Sequence, residues 1–132
     1  MKKQQLVNLY AQVGVESAVL SASQTQLTTL LFEGALNALT RARLSMESRD
    51  IAAKGAMIAK AVAIIDTGLI QALEPYAEDV LAKQLLSLFH YLIQQLMLAN
   101  LHDDQGKLDH CRELLQNIAE AWQQSQDKDR VS

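Results

Sequence analysis

Apolar positions recur at three- and four-residue steps along most of the chain, the period of an α-helix, and nowhere alternate strictly enough to predict strands. Four helical runs follow from this pattern. Ser23-Gln24-Thr25-Gln26 reads as a capping box ahead of the first, which carries Leu27, Leu30, Leu31, Gly34, Ala35, Ala38 and Ala42. Its small residues predict close approach of a neighbouring helix. Ser48-Arg49-Asp50 breaks the run, and Asp50 supplies an N-cap for a second helix over about 51–72. That helix shows a core stripe of Ile51, Gly55, Ile58, Val62, Ile65 and Leu69, and a second apolar edge of Met57, Ala61 and Ile64. Pro75 ends it, and Glu78 and Asp79 favour the start of a third helix. A turn at 102–106, with Asp103 or Asp104 as cap, leads to a fourth helix whose seam is Leu108, Cys111, Leu115, Ile118 and Trp122.

The third helix holds the functional question. Gln84 to Leu101 contains no Asp, Glu, Lys or Arg, and its apolar residues fall on two stripes. Leu81, Leu85, Leu88, Leu92 and Leu96 form the first, read as core. Leu86, Phe89, Ile93 and Met97 form a second, about 100° round the helix. A surface helix needs one apolar stripe facing its core. A second stripe must be buried by a further helix or covered by a partner. A membrane span of ~20 apolar residues is not expected here, because six scattered polar side chains interrupt the stretch.

Four helices of ~20 residues joined by short turns predict an all-α, antiparallel up-down-up-down four-helix bundle with a short N-terminal helical arm. The expected division is an arm or cap over 1–22, a bundle over 23–124, and a polar, disordered tail over 125–132. Leu6, Leu9, Tyr10 and Val13 share one edge of the arm, which is too short to be stable alone in water. It reads either as a frayed terminus or as a removable cap over an apolar groove.

Composition narrows the function classes. The 132 residues suffice for one self-contained core. Net charge is -3 with no basic run on any helix face, so nucleic acid is not an expected partner. The N-terminus lacks a signal-peptide apolar region, and Cys111 is the sole cysteine, so the expectation is an unexported protein of the reducing cytoplasm without membrane insertion. No nucleophile is paired with a base and no Gly-rich loop precedes a helix, so neither an enzyme nor a cofactor is expected. His102, Asp103, His110 and Cys111 lack zinc spacing, and no Glu-x-x-His pair suggests a di-iron bundle. The rival reading is a histidine-phosphotransfer-like or other signalling bundle centred on His90. Such domains resemble one another in His-x-Leu-Lys-Gly, whereas His90-Tyr91-Leu92-Ile93-Gln94 lacks the cation a transferred phosphoryl group needs.

Several stretches, taken in order, resemble the flagellar secretion chaperone family FliS. They are Tyr10 and its Val-rich arm, Ser21-Ala22-Ser23 then Leu27, Leu31-Phe32-Glu33-Gly34-Ala35-Leu36, and Asp50 with Lys54. Lys60-Ala61 with Ile64-Ile65, Leu88-Phe89-His90-Tyr91, Leu98-Ala99-Asn100 and Glu120-Ala121-Trp122 complete the match. Gln24 stands where the family usually has Pro, and Phe32 and Phe89 where it has Tyr. The resemblance implies a cytoplasmic chaperone that binds the disordered C-terminal segment of flagellin as helical pieces in apolar grooves. It also implies that the complex blocks premature polymerisation and is handed to the flagellar type III export gate. The expected client contacts are Tyr10, Met57, Ala61, Ile64, Leu86, Phe89, Ile93 and Met97. A homodimer of the free protein is left open.

Overall fold

The computed structural model describes the backbone of residues 24–131 and the side chains of residues 25–127. The arm over 1–22, with Tyr10, and the Ser23 cap lie outside the described residues. Four helices account for nearly all the rest: α1 (Gln24–Glu47), α2 (Ile51–Ala63, continued by a π-helical segment Ile64–Ile70 and a last α turn Gln71–Leu73), α3 (Val80–His102) and α4 (Gln105–Val131). No strand occurs among the described residues. Each helix packs on its neighbours in sequence, and α1 also meets α4, which closes an antiparallel bundle.

The turns are set by side chains that the sequence supplies. The Asp50 carboxylate accepts from the Ala53 amide at 3.0 Å, Asp79 from Ala82 at 3.1 Å, and Asp104 from Lys107 at 2.9 Å, so each following helix is N-capped. Two of these aspartates also finish the preceding helix. The Asp50 amide donates to the Ser45 carbonyl and the Asp104 amide to the Ala99 carbonyl, the six-to-one bond of a Schellman ending. Its left-handed residue is Arg49 (φ 59°) in one case and Asp103 (φ 51°) in the other. Neither is glycine, so each turn carries a small backbone cost that its surroundings offset. Glu74–Tyr76 forms a 3-10 turn where Pro75, lacking an amide hydrogen, stops α2.

α2 departs from the expected single stripe. Its π segment adds a residue to the turn, so Ile64, Ile65, Gly68, Leu69 and Ile70 are all buried. The Thr67 hydroxyl donates to the Ala63 carbonyl at 2.6 Å. Ile51, placed in the core stripe from the sequence, is 60% exposed. The span Ile51–Tyr76 is long and apolar enough, by length and composition, to cross a membrane. In the bundle that apolarity supplies core side chains: Ile58, Ala61, Ile64, Ile65, Leu69 and Ile70 belong to one cluster with α1, α3 and α4.

The fourth helix behaves as expected at Leu108, Cys111, Leu115 and Ile118, all buried, with Trp122 packed against the same core. It runs on to Val131, past the 124 boundary expected for the bundle. The Thr25 hydroxyl donates to the Gln126 side-chain carbonyl at 3.4 Å, which ties this extension to α1. Higher up, Arg43 of α1 pairs with Asp109 of α4 at 2.8 Å.

Candidate partner-binding site

The centre of the α3 core face lies between the two stripes read from the sequence. Ala82, Phe89, Leu92, Leu96 and Ala99 are its buried residues. Phe89, from the second stripe, packs on Phe32 of α1 with ring centroids 6.3 Å apart. Leu81 and Leu88, from the first stripe, are exposed at 63% and 37%. The reason is geometric. A bundle helix touches two neighbours, so the arc it buries spans parts of two stripes set 100° apart, and each stripe loses its outer members to the surface.

The predicted contact residues therefore separate. Ala61 (0% exposed), Ile64 (1%) and Phe89 (2%) are core, so the expected outward edge on α2 does not exist as drawn. Met57 is half-buried on the opposite side of α2, where with Leu30, Gly34, Ala38, Arg41 and Lys60 it lines a shallow cleft of about 100 Å³ against α1. Leu86 and Ile93 are half-buried against the core, and Met97 is 61% exposed. These three share one edge of α3, and they are brought together as expected.

The α2 wall of that edge is made of residues the sequence reading passed over. Gly55 lies beside Asn100: a Cβ built on Gly55 would sit 3.9 Å from the Asn100 Oδ1. Asn100, Ile93 and Leu86 follow one another at seven-residue steps, so the α3 edge faces the Gly55 side of α2. Ala59 and Val62, four and seven residues on from Gly55, continue that side. The result is a shallow apolar groove, small side chains on α2 and larger ones on α3. The missed signal was the Ala-Gly spacing of α2, which small size made easy to read as helix-packing filler.

Lys54 closes this groove at the α3–α4 turn. Its ammonium, 4% exposed, donates to the Asn100 carbonyl at 3.1 Å and to the Asp103 carboxylate at 3.0 Å. It thus meets a carbonyl at the negative end of α3 and holds Asp103, the left-handed residue of the turn. Two helices that must keep a groove between them are pinned at one end by this contact.

Reactive chemistry is not assembled nearby. His90 is exposed, and Ile93 and Gln94 occupy the next turn. Among the described residues no group of His, Cys, Asp and Glu could hold a metal ion. Burial pushes the Cys111 thiol from 9.0 up to about 11, against a smaller opposing pull from the Lys107 cation. It is a core side chain, not an activated thiol.

The comparisons with known proteins agree with the bundle and its grooves. Residues 6–129 match the family model described as flagellar protein FliS. The chain is 48% identical over 118 residues to the flagellar secretion chaperone FliS of Salmonella typhimurium, covering 89% of this chain and 87% of that one. It is 45% identical over 116 residues to the flagellar secretion chaperone FliS of Escherichia coli (strain K12), covering 88% and 85%. Against the flagellar secretion chaperone FliSB of Pseudomonas aeruginosa identity is 38% over 113 residues, covering 86% and 89%. A four-helix bundle with surplus apolar edges on α3, matched over nearly its whole length, belongs to the FliS family of flagellar proteins.

Proposed function

We propose that this chain is a cytoplasmic export chaperone, not an enzyme, whose client is the disordered C-terminal segment of flagellin. The segment folds on binding and lays an amphipathic helix in the α2–α3 groove, with Leu86, Ile93 and Met97 as one wall and Gly55, Ala59 and Val62 as the other. Covered in this way, the client cannot polymerise, and the complex is passed to the flagellar type III export gate. The observation that carries the reading is an apolar edge left open on α3 of a bundle whose core is already complete, in a family of flagellar secretion chaperones. A disordered client loses ordering entropy on docking, so long shallow contacts suit it better than one deep pocket.

The test is a calorimetric titration of the full chain with a peptide of the flagellin C-terminal segment, beside thermal melts. Met97→Gln changes an exposed side chain, so stability should move by no more than about 0.5 kcal/mol. Affinity should fall at least tenfold, the effect of losing about 1.4 kcal/mol at an anchor. The control is Leu92→Gln, at 0% exposure, which buries an unpaired amide and should cost about 2 kcal/mol or more of stability. Absence of binding by the parent chain, or parallel losses in both variants, would refute the reading.

A further inference from the structure

The other flank of α3 carries a second open strip. Gln95 marks it, because its side-chain carbonyl accepts from the Lys107 ammonium of α4 at 2.9 Å, which fixes that flank of α3 as the one bordering α4. Leu88 and Leu81 repeat from Gln95 at seven-residue steps along α3, and Leu114 and Ala121 repeat from Lys107 along α4. Seven residues are nearly two full turns, so each series keeps to one line. The helices are antiparallel, so moving away from the Gln95–Lys107 pair sets Leu88 and Leu81 alongside Leu114 and Ala121. Leu81, Leu88 and the adjoining Tyr91 are 63%, 37% and 42% exposed. This groove is distinct from the α2–α3 groove, with the body of α3 between them.

Size and charge say what fits it. From Leu81 to Gln95 the strip runs ~21 Å, and a single helix is ~10 Å wide, so the strip offers ~200 Å². A stable dimer buries about 800 Å² on each partner. One amphipathic helix of about four turns is the better match. Direction follows from the ends. Glu74, Glu78 and Asp79 gather at the α2–α3 turn beyond Leu81, whereas Lys107 at the far end donates to a neutral carboxamide that leaves its charge uncompensated. A helix presents positive charge at its N-terminus and negative at its C-terminus.

We propose that the α3–α4 strip is a second docking groove, taking one amphipathic helix of a bound polypeptide oriented parallel to α3, its N-terminus at the acidic α2–α3 turn and its C-terminus at Lys107. Resting on the reading above, the polypeptide is the flagellin segment, which occupies both flanks of α3 at once.

The probe is the same flagellin peptide, titrated into the full chain, its Leu81→Gln/Leu88→Gln double variant and Met97→Gln. Failure of the parent chain to bind overturns the functional reading itself. With parent binding intact, the double variant should lose at least tenfold in affinity while its melting temperature stays within a few degrees. Binding by the double variant within twofold of the parent overturns the second groove alone. A free chain that sediments as a dimer, and as a monomer once Leu81 and Leu88 are changed, makes the occupant a second copy and overturns it equally. Direction is read with nitroxide labels on Glu78→Cys and His110→Cys, both exposed sites, while buried Cys111 stays unlabelled. The label at 78 should broaden peptide resonances at the N-terminal end of its helix, and the label at 110 those at the C-terminal end. The reverse pattern overturns the orientation.

Discussion

Replacing Lys54 tests whether the groove depends on a buried ionic pin. Lys54→Ala removes the ammonium from the Asn100 carbonyl at 3.1 Å and the Asp103 carboxylate at 3.0 Å. Hydrogen bonds to a charged group contribute about 1.5–3 kcal/mol, partly cancelled by the desolvation that the substitution recovers. The heavier penalty of about 3–5 kcal/mol for a stranded buried charge does not apply, because Asp103 is 53% exposed and keeps its water. Lost packing of the four-carbon stem adds to the cost. The expected net loss is about 1–3 kcal/mol for Lys54→Ala and roughly 0–1.5 kcal/mol for Lys54→Met, which keeps the stem. For a domain of this size a 2 kcal/mol loss lowers the melting temperature by roughly 6–10 °C. Urea unfolding followed by circular dichroism, on Lys54→Met, Asp103→Asn and the double variant, isolates the pair. A coupling energy near 1 kcal/mol is expected for side chains in contact. Coupling below about 0.3 kcal/mol, with Lys54→Met as stable as the parent, would refute the pin.

Two further outcomes follow from single contacts. Gly55→Ala should raise stability by about 0.5–1 kcal/mol in urea unfolding, because a helix-interior glycine costs that much and the new methyl meets nothing closer than 3.9 Å; a loss would mean that α2 and α3 cannot accept it. Cys111, whose thiol is pushed up to about 11 from 9.0, keeps its proton in the folded state after the unfolded chain has lost it, so its contribution is complete below pH 9 and is lost as pH rises towards 11. Up to roughly 2–3 kcal/mol is at stake by pH 11, and Cys111→Ala should flatten that part of the stability-pH curve; an unchanged slope would show that the thiol does not carry it.

The helices, their boundaries and two of the turn caps were legible because they depend on local chemistry. A carboxylate at Asp50 or Asp79 caps a helix wherever the chain goes next. The Leu108 to Ile118 seam was legible too, since a single narrow stripe leaves no choice of face. α3 was not. With two stripes present, periodicity gives their separation but not the direction of the core, and that direction is set by where α2 and α4 sit. Phe89 went inward because its ring fills the space beside Phe32. Leu88, one residue earlier and just as apolar, went to the rim. The π segment was equally hidden, because the extra residue that turns Ile64 and Ile70 inward has no fixed sequence sign. Lys54 looked like a solvated lysine, and only the arrival of the α3 C-terminus explains its burial.

The arrangement of surplus apolar surface bears on how such a bundle can bind and still stay soluble. A contiguous exposed patch of more than a few hundred Å² invites aggregation. Here the surplus is divided between two flanks of α3, with Leu86, Ile93 and Met97 on one side and Leu81, Leu88 and Tyr91 on the other. Each strip is narrow, bordered by polar or small residues, and too small to hold a second folded protein. A long flexible client gains from both at once, since the second contact becomes intramolecular after the first has formed. On the proposed reading, affinity comes from linking two weak grooves. The free bundle never has to expose one strong one. Its own core stays closed throughout, because Phe89, Leu92 and Leu96 are buried before any client arrives. A core variant such as Leu92→Gln should therefore weaken binding only through unfolding, and stabilising conditions should restore it, whereas Met97→Gln or Leu88→Gln should weaken binding on a chain that remains folded.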